Sequence, residues 1–429
     1  MSVKNLSIKD LLKPLLVIVK VYFAFYFPLW VMWQLGFFFH EMAFGLLSVF
    51  LPLYIFSLSG SLIWVGVMYA AAMFMSIPAS FFWGYMCDRA RRYKTYILTS
   101  FLSLAFILYL FIFTNQIILL VTLYIVIALF HAAHEPPKNV LIAELYPHEE
   151  WKKAFAFYEG FTEFGWLIGL ILGVITSMFS SDAKFTLLLC SGLNLAAFFV
   201  SLFLVEDPPL IFERSLVAIE KSVSFAYRGT LIFSRIMNGA NINEKLKKEN
   251  LGIFCCGLVL FSLATSILFT PMPIFISNIL NAAALPSSFV FGVFVLNSGS
   301  GVLGYFLAGR RLERETENIN VERIVLYRSF LPFLLMATTQ LSMYGIVIAT
   351  LILILSGFTY AFYLVDILSL SMELIPKGKA GLFDVLVGVG GASGSFIGPF
   401  LAQTYNFEFV FLVSGILFLL SYAAFRVFA

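Results

Sequence analysis

The sequence predicts an all-α membrane protein with twelve transmembrane helices in two pseudo-symmetric six-helix bundles, preceded by an N-terminal amphipathic helix. Three observations lead to this prediction: the composition, the lengths of the apolar segments and the side of the membrane on which basic residues fall. Of the 429 residues, 61% are hydrophobic and 12% are charged, whereas a soluble protein is about half apolar and about a quarter charged. We therefore expect one fold within the bilayer and no soluble domains.

The amino-terminal segment 1–28 precedes the predicted spans. Lys9, Lys13 and Lys20 are separated by four and seven residues, so they share one face of a helix, and most leucines of the segment fall elsewhere. This pattern favours an amphipathic helix on the inner membrane surface with its lysines toward the lipid headgroups. An additional span is the alternative. A signal peptide is disfavoured because no small-residue cleavage site follows the apolar part.

Twelve apolar runs follow this segment, and each is close to the roughly 20 residues that a helix needs to cross a bilayer. They cover residues 29–56, 62–86, 94–114, 116–143, 153–179, 184–205, 251–277, 286–309, 324–343, 345–372, 381–405 and 407–428. We number them spans 1 to 12.

The basic residues favour one orientation of these spans. With the amino terminus inside, they fall on the inner side in the amino-terminal segment 1–28, in 89–94, at 152–153, in 214–248, in 310–328, at 377–379 and at Arg426. Lys184 is the one Lys or Arg in a predicted outside loop. Basic residues in short loops mark the cytoplasmic side, and a shift by one span would abolish the asymmetry. We therefore expect a multi-pass protein of the cell membrane with both termini in the cytoplasm.

The longest polar segment, 206–250, divides the spans six and six. We interpret it as a cytoplasmic linker between a first bundle, 29–205, and a second bundle, 251–429. The halves are weakly similar, because span 4 ends in Glu-Leu-Tyr-Pro from Glu144 and span 10 ends in Glu-Leu-Ile-Pro from Glu373. A monomer would suffice for this architecture.

Spans 5 and 11 each contain three glycines at four-residue spacing: Gly165, Gly169 and Gly173, and Gly390, Gly394 and Gly398. This spacing places small residues on one helix face and lets neighbouring backbones approach closely. Static packing accounts for most of the pattern. Smooth surfaces of this kind would also let one half rock against the other.

The short loop between spans 2 and 3 reads Gly-Tyr-Met-Cys-Asp-Arg-Ala-Arg-Arg-Tyr-Lys from Gly84 onward. It resembles the motif Gly-x-x-x-Asp-Arg-x-Gly-Arg-Arg of the major facilitator superfamily of secondary transporters. Gly84, Asp88, Arg89 and Arg92 match, while Arg91 stands where the family usually has glycine. The resemblance implies two six-span halves that open alternately to the two faces. It also implies a gating role for the four matching residues, with Asp88 as a latch on the cytoplasmic side.

Ionisable residues inside the spans are candidates for a proton or substrate pathway, because such groups are costly in hydrocarbon unless they face a cavity or a partner. In the first half they are His40 and Glu41 of span 1, His131, His134 and Glu135 of span 4, and Glu159 and Glu163 of span 5. In the second half we add Asn297 of span 8, Gln340 of span 9, and Tyr363 and Asp366 of span 10. Pro136 and Pro137 directly after the span 4 cluster predict a kink there.

These candidates are nearly all acids or histidines. Lys138 is the only base well inside a predicted span, three residues from Glu135, with which it can pair. The superfamily's phosphate and carboxylate carriers place arginines in the central cavity, and we find none here, which favours a small neutral or cationic solute. Carboxyl and imidazole groups in a low dielectric can exchange protons near neutral pH. We therefore expect proton-coupled symport or antiport, with His40, Glu41, Glu135 and Glu163 as proton carriers.

Several other functions are disfavoured. No Gly-x-x-x-x-Gly-Lys-Ser/Thr loop is present for ATP, no pattern of basic and aromatic residues suggests nucleic acid, and the four cysteines lack zinc-type spacing. No metal or other cofactor is expected. Two alternatives stay open: a polytopic membrane enzyme that uses His131, His134 and Glu135 as a metal or acid–base site, and a non-transporting receptor or scaffold.

Overall fold

The computed structural model of the chain describes residues 32–90, 92–146, 151–179, 182–207, 251–312, 321–339, 342–374 and 381–428. Within these residues all regular structure is helical. There are twelve helices, two of which are broken: α1 (Leu35–Ser59), α2 (Leu62–Ala90), α3 (Tyr93–Phe111), α4a (Ile117–His131), α4b (Glu135–Leu145), α5 (Trp151–Phe179), α6 (Ala183–Leu204), α7a (Leu251–Phe269), α7b (Met272–Ala282), α8 (Ser288–Leu312), α9 (Val321–Thr338), α10 (Ser342–Leu374), α11 (Gly381–Thr404) and α12 (Phe407–Phe428).

The helices coincide with the predicted spans. Eleven of them are long and apolar enough to cross a membrane by length and composition. The twelfth, α9, has 18 residues and contains Glu322, Arg323 and Arg328. The predicted class, an all-α protein with twelve helices in the membrane, is confirmed. The amino-terminal segment 1–28 and most of the linker fall in 1–31 and 208–250, outside the described residues. The domain boundaries therefore stay predictions.

Both breaks occur next to prolines. The regular α-helix is interrupted by a turn at 132–134. Pro136 and Pro137 then occupy the first turn of α4b, where their missing N–H groups and fixed φ are tolerated. This is the predicted kink. The second break lies at Pro271, and the helix then continues to Ala282. Our prediction of one unbroken span ending at 277 is wrong here, because hydropathy does not change across this proline.

Each half repeats the same pattern of helix contacts. In the first half α1 packs on α5 and α6, α3 on α6, and α2 on α4a. In the second half α7a packs on α11 and α12, α9 on α12, and α8 on α10. Glycines allow the matching close approaches, because Gly169 of α5 lies against the backbone of Met42 and Gly394 of α11 lies against the backbone of Leu263. These two glycines therefore pack helices within their own half, whereas Gly173 of α5 lies against Phe291 of α8 in the other half.

The two halves meet along two helix pairs, α5 with α8 and α2 with α11. Near the α2–α3 turn, which the sequence places in the cytoplasm, a Cβ on Gly309 would lie 3.7 Å from the Cβ of Ala156. At the opposite end, near the α1–α2 turn, the backbone N–H of Leu62 donates to the side-chain oxygen of Gln403 at 2.8 Å. There α7b also contacts α1. The α1–α2 ends of the halves are therefore in contact.

Candidate functional site

The predicted gating motif lies at the end of α2. The helix continues through Asp88 and Arg89 to Ala90, so the motif extends the span and is not a free loop. Gly84 faces α4b, where a Cβ on this glycine would lie 4.0 Å from Pro136. An alanine at this position would therefore only reach van der Waals contact with the start of α4b.

The basic residues of the motif lie at the surface. Arg89 donates from Nη1 to the hydroxyl of Tyr85 at 3.3 Å, and Arg92 directly precedes α3. The side chain of Asp88 and residues 375–380, next to which we expect the latch, lie outside the described part of the chain. The latch therefore stays a prediction.

Three histidines form one cluster in the first half. The ring centroids of His40 and His131 are 5.1 Å apart, those of His40 and His134 are 4.8 Å apart, and those of His131 and His134 are 4.7 Å apart. Phe101 stacks on His40 at 4.8 Å, and Phe44 contacts His131 at 4.7 Å. The break in α4 makes this cluster possible, since His131 ends α4a and His134 caps α4b.

Polar partners hold two of these rings. Nδ1 of His40 lies 2.8 Å from the side-chain oxygen of Asn194 in α6. Nδ1 of His134 lies 3.2 Å from the hydroxyl of Ser100 in α3, and its Nε2 lies 3.4 Å from the carboxylate of Glu135. Helices α1, α3, α4 and α6 therefore all contribute to the position of the cluster.

A line of charged groups leads from the histidines toward the second half. Glu135 pairs with Lys138 at 2.5 Å, which confirms the predicted pairing, and Lys138 lies 4.0 Å from Glu159. The ammonium also lies 5.2 Å from the centre of the Tyr158 ring. Glu135 is 41% exposed and Glu159 is 26% exposed, so both carboxylates reach open space.

The line ends at a hydrogen bond between the halves. The hydroxyl of Ser298 in α8 donates to Oε1 of Glu163 in α5 at 2.5 Å, and Ser298 is buried. Glu41 of α1 is close enough to interact electrostatically with Glu135, Glu159 and Glu163. We call these four carboxylates the acidic cluster. The structure therefore brings together the acids that the sequence predicts on spans 1, 4 and 5.

Two of the four candidates in the second half make their contacts within that half and not with the acidic cluster. Asn297 donates its side-chain amide to a backbone carbonyl of α10 at 2.6 Å. Tyr363 is buried and stacks on Phe261 with ring centroids 3.5 Å apart. Asp366 is also buried in α10, and Gln340 lies outside the described residues. Asn297 and Tyr363 thus pack within the second half, and a pathway role for these four residues stays a prediction.

One buried base was not predicted from the sequence. It is Arg328 of α9, which is 1% exposed. Its Nη1 donates to the backbone carbonyl of Ser356 at 2.6 Å. Its guanidinium lies 5.1 to 5.8 Å from the ring centres of Phe261, Phe269, Tyr360 and Phe418.

Our statement that Lys138 is the only base well inside a span is therefore wrong. We assigned Arg328 to the basic loop because we placed the start of span 9 at 324, whereas α9 begins at Val321. That start puts Arg328 about two turns inside the helix. The enclosing rings separate its guanidinium from open space, so it differs from an arginine that lines a cavity.

Comparison with known proteins decides the family. A family model described as Major Facilitator Superfamily matches residues 34–383. The chain belongs to this superfamily. The resemblance of the motif from Gly84 onward is thereby confirmed, and the chain is a multi-pass membrane protein of a transporter family.

Solved structures of the superfamily share its fold. A point mutant of the nucleoside transporter NupG superposes with a TM-score of 0.70 at 14% identity, covering 94% of this chain and 100% of that one. The human organic anion transporter MFSD10 (TETRAN) gives 0.63 at 16% identity, covering 92% and 98%. A bacterial homologue of the iron transporter ferroportin, in an outward-facing state, gives 0.61 at 13% identity, covering 94% and 99%. No curated protein sequence matches the chain.

Proposed function

We propose that this superfamily member is a secondary active transporter that moves a small neutral or cationic solute across the cell membrane by alternating access, coupled to proton movement. Membership of the superfamily supports the transport class over the enzyme and scaffold alternatives. The charge of the acidic cluster supports the solute class. The hydrogen bond between Glu163 and Ser298 is the observation on which proton coupling rests.

The acidic cluster favours cations and polar neutral solutes over anions. Among the described residues, its four carboxylates are accompanied by one ammonium, that of Lys138, which leaves an excess of three negative charges when all are ionised. An uncompensated charge away from water is costly. A cation or a hydrogen-bonding neutral solute lowers this cost, whereas an anion raises it. Arg328 makes no ion pair with these carboxylates in the described part of the chain, since its guanidinium bonds to Ser356 and lies against aromatic rings of the second half.

Glu163 is positioned to couple proton binding to movement of the halves. It accepts the hydroxyl proton of Ser298 across the contact between α5 and α8. A hydrogen bond to an ionised carboxylate is roughly twice as strong as one between neutral groups. Protonation of Glu163 therefore weakens a link between the halves, and loss of the proton restores it. The other titratable or charged groups near this bond are Glu41 and Glu159, the hydroxyls of Tyr305 and Tyr360, and Arg328 beyond the tyrosines.

The remaining parts of the proposal follow from the sequence. The distribution of basic residues supports a location in the cell membrane with both termini in the cytoplasm. A monomer contains both halves and suffices for the mechanism. His40, Glu41 and Glu135 stay predictions as proton carriers, and the coupling step proposed here depends on Glu163 alone.

The test begins with a thermal-shift screen of the purified protein against sugars, nucleosides, amino acids and lipophilic cations. A solute that raises the melting temperature is then used for counterflow in proteoliposomes containing a pH-sensitive dye. We expect the wild type to show counterflow and to move protons when the solute is added. Glu163→Gln should keep counterflow and lose solute-driven proton movement.

The matched control is Glu408→Gln. Glu408 lies at the α1–α2 end and accepts a hydrogen bond from Thr339 at 2.7 Å within the second half, so its replacement should leave proton movement unchanged. Proton movement that persists in Glu163→Gln would exclude Glu163 as the coupling group. Absence of counterflow with every stabilising solute would instead favour a receptor or scaffold.

A further inference from the structure

We propose that His40, His131 and His134 form a binding site for a divalent transition-metal ion. The three residues come from α1, the last position of α4a and the residue that caps α4b. One ring nitrogen of each can be chosen so that the three nitrogens all lie within 4.8 Å of one another. Sequence spacing alone does not predict this set, because the first histidine is 91 residues from the second in the chain.

The hydrogen bonds of His40 assign its free nitrogen. The side-chain Nδ2 of Asn194 donates to the carbonyl of Cys190 at 3.0 Å, so the amide presents its oxygen to Nδ1 of His40 at 2.8 Å. Nδ1 must therefore be the N–H of this ring, and Nε2 has the lone pair. Although His40 is 0% exposed, Nε2 has no hydrogen-bond partner among the described residues. A buried lone pair without a partner is what a metal ligand presents before it binds the ion.

The other two rings differ in what their nitrogens already contact. In His134, Nδ1 contacts the hydroxyl of Ser100 at 3.2 Å and Nε2 contacts the carboxylate of Glu135 at 3.4 Å, so an ion bound through Nε2 would replace the contact with Glu135. His131 is partly exposed and makes no side-chain hydrogen bond in the described part of the chain. Asn194 and Ser100 would act as the outer-shell partners that fix the orientation of metal-binding imidazoles.

The donor set defines the class of ion. Neutral imidazoles suit zinc, copper, nickel and cobalt, whereas magnesium and calcium prefer oxygen ligands. Three histidines leave a fourth position for water or another ligand. Tetrahedral zinc–nitrogen bonds of about 2.0–2.1 Å place the nitrogens about 3.3–3.4 Å apart. Nitrogens that lie within 4.8 Å of one another would therefore have to approach by up to about 1.5 Å through ring rotation. The nearby carboxylate of Glu135 would offset part of the charge of the ion.

Aromatic packing is the competing explanation of this cluster. The contacts of His40 and His131 with Phe101 and Phe44 are typical of a packed interior. Packing explains the distances between the rings. It does not explain why the enclosed Nε2 of His40, in a ring 4.8 to 5.1 Å from two other imidazoles, has no hydrogen-bond partner among the described residues, whereas a shared ion explains both.

The test uses the full-length protein, purified through a tag without histidine and treated with a chelator. We expect calorimetric titration with Zn²⁺ to give one ion per chain, Co²⁺ to produce visible absorption bands of nitrogen coordination, and Zn²⁺ to raise the melting temperature of the wild type. His40→Ala, His131→Ala and His134→Ala should each weaken Zn²⁺ binding by about 100-fold or more. Asn194→Ala should weaken it by about tenfold, because outer-shell partners contribute roughly 10–100-fold.

The control variant is His148→Ala, which removes the only other histidine of the sequence and should bind Zn²⁺ as the wild type does. Binding by exposed thiols would be unaffected by every histidine substitution. The proposal is overturned if the wild type binds no Zn²⁺ and shows no Zn²⁺-dependent rise in melting temperature. It is also overturned if the three cluster variants, folded by size-exclusion chromatography, bind Zn²⁺ as tightly as His148→Ala does.

Discussion

The backbone N–H of Leu62 donates a hydrogen bond to the side-chain oxygen of Gln403 at 2.8 Å and joins the α1–α2 ends of the two halves. Leu62 is the first residue of α2, and N–H groups at this position of a helix have no partner within the helix. Gln403 lies in the last turn of α11. An alternating-access protein must break this bond to open the α1–α2 end.

Replacement of Gln403 should therefore favour opening at this end. Gln403→Ala removes one neutral hydrogen bond, which contributes about 1 kcal/mol, or a shift of roughly fivefold in the equilibrium. The measurement is thiol labelling of a cysteine at Met73, which lies deeper between α2 and α11 against Gly391, in protein without its native cysteines. Labelling from the α1–α2 side should become about fivefold faster.

The matched control for this substitution is Asn115→Ala. Asn115 accepts a hydrogen bond from Tyr54 at 3.1 Å at the same end, but within the first half, so labelling should not change. Equal labelling rates in Gln403→Ala and the wild type would show that the Leu62 bond does not hold this end closed.

The close approach of α1 and α5 should depend on Gly169. A Cβ at this position would overlap the backbone of Met42, so Gly169→Ala forces the helices apart, and overpacking typically costs about 1–3 kcal/mol. We expect a lower melting temperature in detergent. Gly192→Ala in α6 is the control, because nothing lies within 4 Å of a Cβ there. Equal melting temperatures for the two variants would contradict the packing role of Gly169.

The aromatic surroundings of Arg328 should make this position sensitive to a change of cation. Arg328→Lys keeps the charge but loses the planar group that lies against four rings and bonds to Ser356, and a desolvated cation–π contact is worth about 2 kcal/mol. We expect a clear loss of thermal stability. Arg426→Lys is the control, because Arg426 is exposed and its contact among the described residues is with Tyr422. Equal melting temperatures for Arg328→Lys and Arg426→Lys would indicate that only the positive charge at position 328 is needed for stability.

The sequence predicts the number, order and approximate ends of the helices, because the bilayer fixes the length of each apolar run. It also predicts the break before Pro136, since two prolines follow a cluster of ionisable residues. It does not predict the break at Pro271, where the apolar run continues on both sides. Arg328 was missed for a related reason: near a span end, a base in the loop and a base inside the helix have the same local sequence.

The acids of the candidate site could be predicted because charge inside a span is rare and costly. The residues that contact these acids could not be predicted, because the sequence does not show which helices pack against each other. Glu163 meets Ser298 of the other half, and His40 meets histidines 91 and 94 residues later in the chain. Conversely, Asn297 and Tyr363 are polar residues in spans, but their neighbours place them inside the second half.

Alternating access itself can be tested at the α2–α3 end, where a Cβ on Gly309 of α8 would lie 3.7 Å from the Cβ of Ala156 in α5. This separation suits a disulfide, for which the mean is about 3.8 Å. The pair Ala156→Cys and Gly309→Cys, in protein without native cysteines, can therefore link the two halves by oxidation. Each single variant is the control.

The most direct measurement is counterflow by this double-cysteine protein in proteoliposomes, before oxidation, after oxidation and after reduction. If the halves must separate at the α2–α3 end in each cycle, oxidation should abolish counterflow, reduction should restore it, and the single variants should be unaffected by either treatment. Undiminished counterflow by the fully cross-linked protein would contradict the account.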